Sequence, residues 1–247
     1  RKLVAAKSLD DGNAAGLVLH PSLPRAYVVV KNDSQVNLVG WDWRRDITLF
    51  SVNIVEQPLY IGISRTAERL LLGRPFYDGL WILDAVTGNW QSDTRGGIVT
   101  FAATSTDDQN LLTYQPSGVL TYRSRATDEV QRVLGLPSEL KDLALSSNRR
   151  YLIGRVGQSI VLLDAVTGVE VERRRVNGLK IMKTWLEANR ILIVADGQYG
   201  PELQVFSLDA DRSLSVVLTQ RILGTPTAIG FGEESVFLGL SDGTIPV

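Results

Sequence analysis

The chain has no cysteine, one histidine and one methionine in 247 residues. Without cysteine there is no disulfide, no thiol nucleophile and no thiolate metal site, and the redox compartment is left open. A single histidine excludes histidine metal clusters and leaves His20 as the one base for a Ser-His-Asp triad. Pro21 beside it places it in a surface turn, so a turn role is the plainer reading. Charge of one sign is lacking too. Lys and Arg total 26 against 27 Asp and Glu, net −1, so no overall field draws the chain to nucleic acid or an anionic membrane surface. No apolar run approaches the ~20 residues of a membrane helix; a long one, Ile191-Leu192-Ile193-Val194-Ala195, is strand length. Arg95-Gly96-Gly97 leads into a strand rather than a helix, so it is no phosphate loop. The chain starts at Arg1 without a basic-then-apolar leader, which reads as a mature form or an excerpt of something longer.

What is present is a repeat. Leu83-Asp84-Ala85-Val86-Thr87-Gly88 recurs unchanged at Leu163-Asp164-Ala165-Val166-Thr167-Gly168. Comparable stretches at 36–42, 80–84, 119–123, 160–164 and 203–207 align on Trp41, Leu83, Tyr122, Leu163 and Phe206, with spacings of 42, 39, 41 and 43 residues. Before each lies a turn, such as Lys31-Asn32-Asp33-Ser34 or Pro116-Ser117-Gly118, and another β-type run. Gly, Asn and Asp between two such runs are hairpin chemistry. A further short strand comes before that pair and a polar strand after it. Four strands in about 41 residues make the blade of a β-propeller. The expected fold is all-β, with four-stranded antiparallel blades in one domain spanning 1–247. The blades fall at about 16–55, 56–96, 97–136, 137–177, 178–222, and 223–247 combined with 1–10. That makes six blades, the ring closed by pairing N- and C-terminal strands; seven is the alternative if the chain is an excerpt.

The pattern resembles WD-repeat and WD-like propellers over nearly the whole chain. Val18-Leu19-His20-Pro21 matches their first strand, Asn32-Asp33-Ser34 their Asp-centred turn, and Trp41-Asp42 is the literal dipeptide. Leu83-Asp84 and Leu163-Asp164 are degenerate copies. The Gly-His dipeptide that opens typical repeats is absent, so their buried Asp-His-Ser/Thr-Trp network has no histidine. The resemblance implies a divergent, bacterial-style propeller and says little of function. Asp84-x-x-Thr87-Gly88-Asn89-Trp90 is also similar to the docking motif of quinoprotein propellers, which use pyrroloquinoline quinone. Its tryptophan stands too near the glycine, and the second copy has Val169-Glu170 instead.

The remaining chemistry is sparse. Asp33, Asp78, Asp196 and Asp242 in blade turns form a candidate calcium or magnesium set, against the plainer role of Asp in closing its own turn. Asp84, Asp164 and Asp107-Asp108 read as turn-forming as well. Arg173-Arg174-Arg175 follows Glu170 and Glu172 without aromatics, as a charged edge strand does and a nucleic-acid patch does not. The loops between second and third strands offer Lys31, Asn32, Arg74, Phe76, Tyr77, Gln115, Arg155, Gln158 and Tyr199. Tyr and Arg are enriched at interface hot spots, although packing of Phe76 and Tyr77 on a neighbouring blade fits equally. The expectation is a non-catalytic scaffold, a module of a larger assembly, that binds a protein or peptide on this loop face. It requires no cofactor, nucleic acid or membrane insertion. The alternatives are a propeller hydrolase or lactonase with a metal at the channel mouth, and a quinoprotein-like propeller. Compartment and oligomeric state are left open.

Overall fold

A computed structural model describes residues 13–75, 79–94, 97–105, 108–146, 148–185, 189–208, 213–231 and 236–240. It divides into two compact units, 1–138 and 139–247. The first holds three four-stranded antiparallel sheets. They are β1 (Asn13–Leu19), β2 (Arg25–Lys31), β3 (Val36–Asp42) and β4 (Ile47–Asn53); β5 (Tyr60–Ile63), β6 (Arg69–Gly73), β7 (Leu80–Asp84) and β8 (Trp90–Thr94); and β9 (Phe101–Thr104), β10 (Asn110–Tyr114), β11 (Val119–Ser124) and β12 (Val130–Gly135). The second holds two more. These are β13 (Lys141–Leu145), β14 (Tyr151–Val156), β15 (Ser159–Asp164) and β16 (Glu170–Arg175); and β17 (Ile181–Trp185), β18 (Arg190–Gly197), β19 (Gly200–Leu208) and β20 (Leu214–Arg221). A two-stranded sheet, β21 (Pro226–Phe231) with β22 (Val236–Leu240), comes last. Among the described residues no helix is long and apolar enough to cross a membrane.

Every complete sheet is an up-and-down meander in sequence order, the blade the repeat predicts. The blade count differs. Among the described residues there are five blades, not six or seven, because 13–221 accommodates five and β21 and β22 form one hairpin rather than a four-stranded sheet. Dividing 247 by the spacing assigns every residue to a blade, whereas the described residues beyond β20 form only this hairpin. The strands expected to close a sixth blade, at 2–9 and 244–247, lie outside the described residues.

The middle strands of the second blade are apolar on both faces because the first and third blades cover them. Leu70, Leu71 and Leu72 of β6 and Leu80, Ile82 and Leu83 of β7 are buried. Between the first two blades Tyr27, Val29, Leu38, Phe50, Leu70, Leu72 and Trp81 form one cluster. Between the second and third, Leu71, Leu80, Ile82, Val99, Ala102 and Leu111 form another. In the second unit Ile153, Ile160, Leu162, Ile191, Ile193 and Phe206 join its two blades. The outer strand β16 is exposed over most of its length, yet two of its charges tie it to its neighbour. Glu172 accepts from Leu214 N at 2.7 Å and Arg174 donates to Leu214 O at 3.0 Å.

In every blade the pairing of third and fourth strands is broken by a bulge just before the turn: Gly40/Trp41, Ile82/Leu83, Tyr122/Arg123, Leu162/Leu163 and Val205/Phe206. A bulge adds twist, and in each blade it falls within three residue pairs of the turn. In the hexapeptide turn, Asp84 Oδ1 accepts from Val86 N, Thr87 N and Thr87 Oγ1 at 2.8–2.9 Å, and Gly88 turns with φ +72°. Asp164 repeats this with Val166, Thr167 and Gly168, φ +74°. Asp42 and Ser124 stand in the same place, with Asp46 and Asp128 four residues on at φ +54° and +55°. The backbone amides that cap Asp84 and Asp164, with Thr87 and Thr167 foremost, hold both carboxyls below their usual range.

Candidate functional site

The turn between first and second strands is a second repeated device. Ser64, Ser105 and Ser146 each donate a backbone N–H to the carbonyl five residues on. Their hydroxyls accept from the N–H of Arg69, Asn110 and Tyr151 at 2.9–3.2 Å. The residue three positions after each serine has positive φ: Ala67 +60°, Asp108 +59°, Arg149 +60°. His20 holds the serine's place in the first blade. It donates its N–H to Arg25 O, while Nδ1 accepts from Ser22 N and Leu23 N at 3.2 and 3.0 Å. Burial and the nearby Arg25 lower its pKa. These bonds make it a turn residue.

These equivalences single out one junction. The position of Ala85 and Ala165 is held in the third blade by Arg125; all three donate N–H to the adjacent turn, at Glu68, Arg150 and Gln109 respectively. The position of Ala67 is held by Asp108. The outer-strand position of Phe50, which fills the space beside Gly40 and Gly88, is held by Ser92. Thus an apolar joint in one place is an ionic one in the next. Asp108 Oδ2 receives Arg125 Nη1 at 2.9 Å, Thr66 Oγ1 at 3.3 Å and a short bond from Arg69 Nη1. Arg125 Nη1 also donates to Asp108 O at 2.6 Å, and Arg69 Nε to Gln91 Oε1 at 2.9 Å.

The Asp108 side chain is 6% exposed, against 22% for each arginine. Its Oδ1 is buried and accepts no hydrogen bond among the described residues. Burial, aided by repulsion from Arg69, lowers the Arg125 pKa while Asp108 and Glu68 oppose it; arginine nevertheless stays charged. Beside the cluster opens a cavity of about 280 Å³ lined by Thr66, Glu68, Arg69, Asp108, Gln109 and Arg125. A smaller recess of about 100 Å³, lined in part by Ser92, shares Arg125 with it. The turn above is fixed across the junction by Arg65 N donating to Thr104 Oγ1 at 2.9 Å.

The residues expected on the opposite loop face have mostly local work. Asn32 Oδ1 accepts from Gln35 N at 2.9 Å and closes its own turn; Lys31 is exposed at the end of β2. Arg74 lies over the Trp81 ring at 5.0 Å and 3.9 Å from Asp93. The Gln115 amide packs under Gly97, and Gln115 N bonds Val119 O. In the second unit Arg155 pairs with Asp142 at 2.8 Å. Gln158 Oε1 accepts from Leu179 N at 2.6 Å, and Tyr199 is 69% exposed. Phe76 and Tyr77 lie outside the described residues.

Of the candidate metal acids, Asp78 and Asp242 also lie outside them, Asp33 is exposed, and Asp196 pairs with Lys180 at 2.5 Å. Among the described residues no three His, Cys, Asp or Glu side chains gather to hold a metal. The quinoprotein-like stretch is the β7–β8 turn, with Trp90 edge-on to Trp81 at 5.5 Å. In the sequence Asp108 shows only a turn role, and no local pattern marks Arg69 or Arg125. The signal that finds them is departure from the repeat, visible once the serine turns and the Asp84-type turns are aligned.

A search with the sequence against curated proteins found no match. Among solved structures the fold is similar to that of hydrazine synthase from Kuenenia stuttgartiensis, with TM-score 0.69 and 12% identity over 94% of this chain and 75% of that one. It is similar also to a protein from Bacteroides uniformis named as a candidate 6-phosphogluconolactonase, with TM-score 0.68 and 13% identity over 94% of this chain and 79% of that one. At such identities the likeness is one of fold alone. The model of a family described as an N-terminal β-propeller domain matches residues 27–178, more than half of the sequence, and the chain belongs to that family.

Proposed function

We propose that the chain is a non-catalytic binding module of the WD-like kind, which recognises a protein or peptide at the cavity between its second and third blades. The observation that carries this reading is the Arg69–Asp108–Arg125 cluster, set at an open cavity where the preceding junction has Ala67 and Ala85. A buried ion cluster is seldom a gain over well-packed apolar residues, and a local departure from an otherwise consistent repeat is expected where function is placed. The polar side chains here are fixed by one another, as a recognition surface requires. The loop face opposite is the weaker candidate, since Asn32, Arg74, Arg155 and Gln158 are engaged in holding turns and blades.

A photo-crosslinking residue at Ala126, exposed beside the cavity, should give a discrete adduct in the source cell. The same residue at Val133, exposed on the outer strand, should give none. Adducts at neither position would remove the reading. Hydrolysis of 6-phosphogluconolactone by the purified chain, the activity named for the Bacteroides neighbour, would move it to an enzyme instead.

A further inference from the structure

We infer that the cavity between the second and third blades receives the carboxylate of a glutamate or aspartate side chain presented by the partner, with Arg69 and Arg125 as its two clamps. This rests on the binding reading above and specifies its chemistry. Asp108 occupies Nη1 of both guanidiniums. Arg69 Nε is used by Gln91. That leaves Arg69 Nη2 and Arg125 Nε and Nη2 without a partner among the described residues. Planar guanidiniums with unused donors match a planar carboxylate. Asp108 neutralises one of the two positive charges while bracing both forks, so each is held for a ligand rather than left to find one.

Size and charge choose among anions. The cavity of about 280 Å³ falls just below the roughly 300–1,000 Å³ of small-molecule sites, which suits a single inserted side chain. Its lining carries Arg69 and Arg125 against Glu68 and Asp108. A monoanion leaves that balance one negative and a phosphate dianion leaves it two, so the carboxylate is the better match. The preceding joint has Ala67 and Ala85 in the places of Asp108 and Arg125, with Phe50 where this one has Ser92.

The test uses the full chain and a fluorescein-labelled peptide of alternating Glu and Gly, read by anisotropy. Binding should weaken as salt rises and fall about tenfold or more with a matched Gln-Gly peptide. It should fall as far with the Glu-Gly peptide on the Asp108→Ala/Arg125→Ala variant, which takes the alanine pair of the neighbouring junction and keeps its folded circular dichroism. Arg125→Lys should retain charge yet lose affinity, since an ammonium lacks the fork. Equal binding of the Gln peptide, or unchanged binding by the double variant, overturns the inference. A phosphoserine-Gly peptide that binds more tightly than the Glu peptide overturns it in favour of phosphate. Free glutarate binding as tightly as the peptide overturns it in favour of a small acid. If the Ala126 adduct forms and no acidic peptide binds, this inference fails while the binding reading stands; if no adduct forms, the binding reading itself fails.

Discussion

Two backbone amides, of Ser22 and Leu23, point at Nδ1 of His20, and both bonds require that nitrogen unprotonated. Burial and Arg25 lower its pKa from 6.5. As pH falls below about 6.5 the unfolded chain therefore binds the proton first. The stability His20 contributes is complete above that pH, declines beneath it and levels off once the folded imidazole also titrates. Urea unfolding at pH 7.5 and 5.5 should show a larger drop for wild type than for His20→Ala; parallel drops would refute the assignment. Gly88 is a second residue whose side chain, here its lack, decides the outcome. At φ +72° an added Cβ would lie 2.5 Å from the Phe50 ring. Gly88→Ala should thus cost about 2–4 kcal/mol, joining left-handed strain to overpacking, measurable by denaturant midpoint.

At the scale of strands and turns, the ionic joint and the apolar joint are two solutions to one packing problem. Asp108→Ala alone leaves two part-buried guanidiniums facing each other and should cost about 3–5 kcal/mol, whereas Asp108→Ala/Arg125→Ala should recover most of that loss. A double variant as unstable as the single one would show that the joint cannot close on alanine. Much of this level was legible in sequence. The third strands that carry Trp41, Leu83, Leu163 and Phe206, the Asp84 and Asp164 turns and the exposed outer strands follow from local patterning alone. Arg69 and Asp108 were not, because 39 residues separate them and they meet only when two blades pack. The engagement of Asn32 and Gln158 was not legible either. Their composition reads as exposed recognition chemistry, and only the backbone geometry shows that each amide oxygen is already occupied.

Across the whole molecule, the blade count is where local patterning gives out, since a period predicts how long each unit is and not how many units are completed. Stability in such repeats is built from nearest-neighbour interfaces, and each of the two compact units has cores of its own. Leu111, 1% exposed, and Ile191, 0% exposed, belong to different clusters. Leu111→Ala and Ile191→Ala should each cost about 2–5 kcal/mol, and the double variant should show their sum within about 0.5 kcal/mol. A clear shortfall or excess would mean that the two clusters communicate. The identical hexapeptides have a genetic meaning as well. An in-frame exchange between them would excise residues 84–163, 80 residues or about two repeat lengths. The rejoined chain would read Leu-Asp-Ala-Val-Thr-Gly without a scar and keep every hydrogen bond of that turn, yet it would lack Asp108 and Arg125. A deletion between these hexapeptides would thus remove Asp108 and Arg125 in one event and leave a turn that the shortened chain still forms.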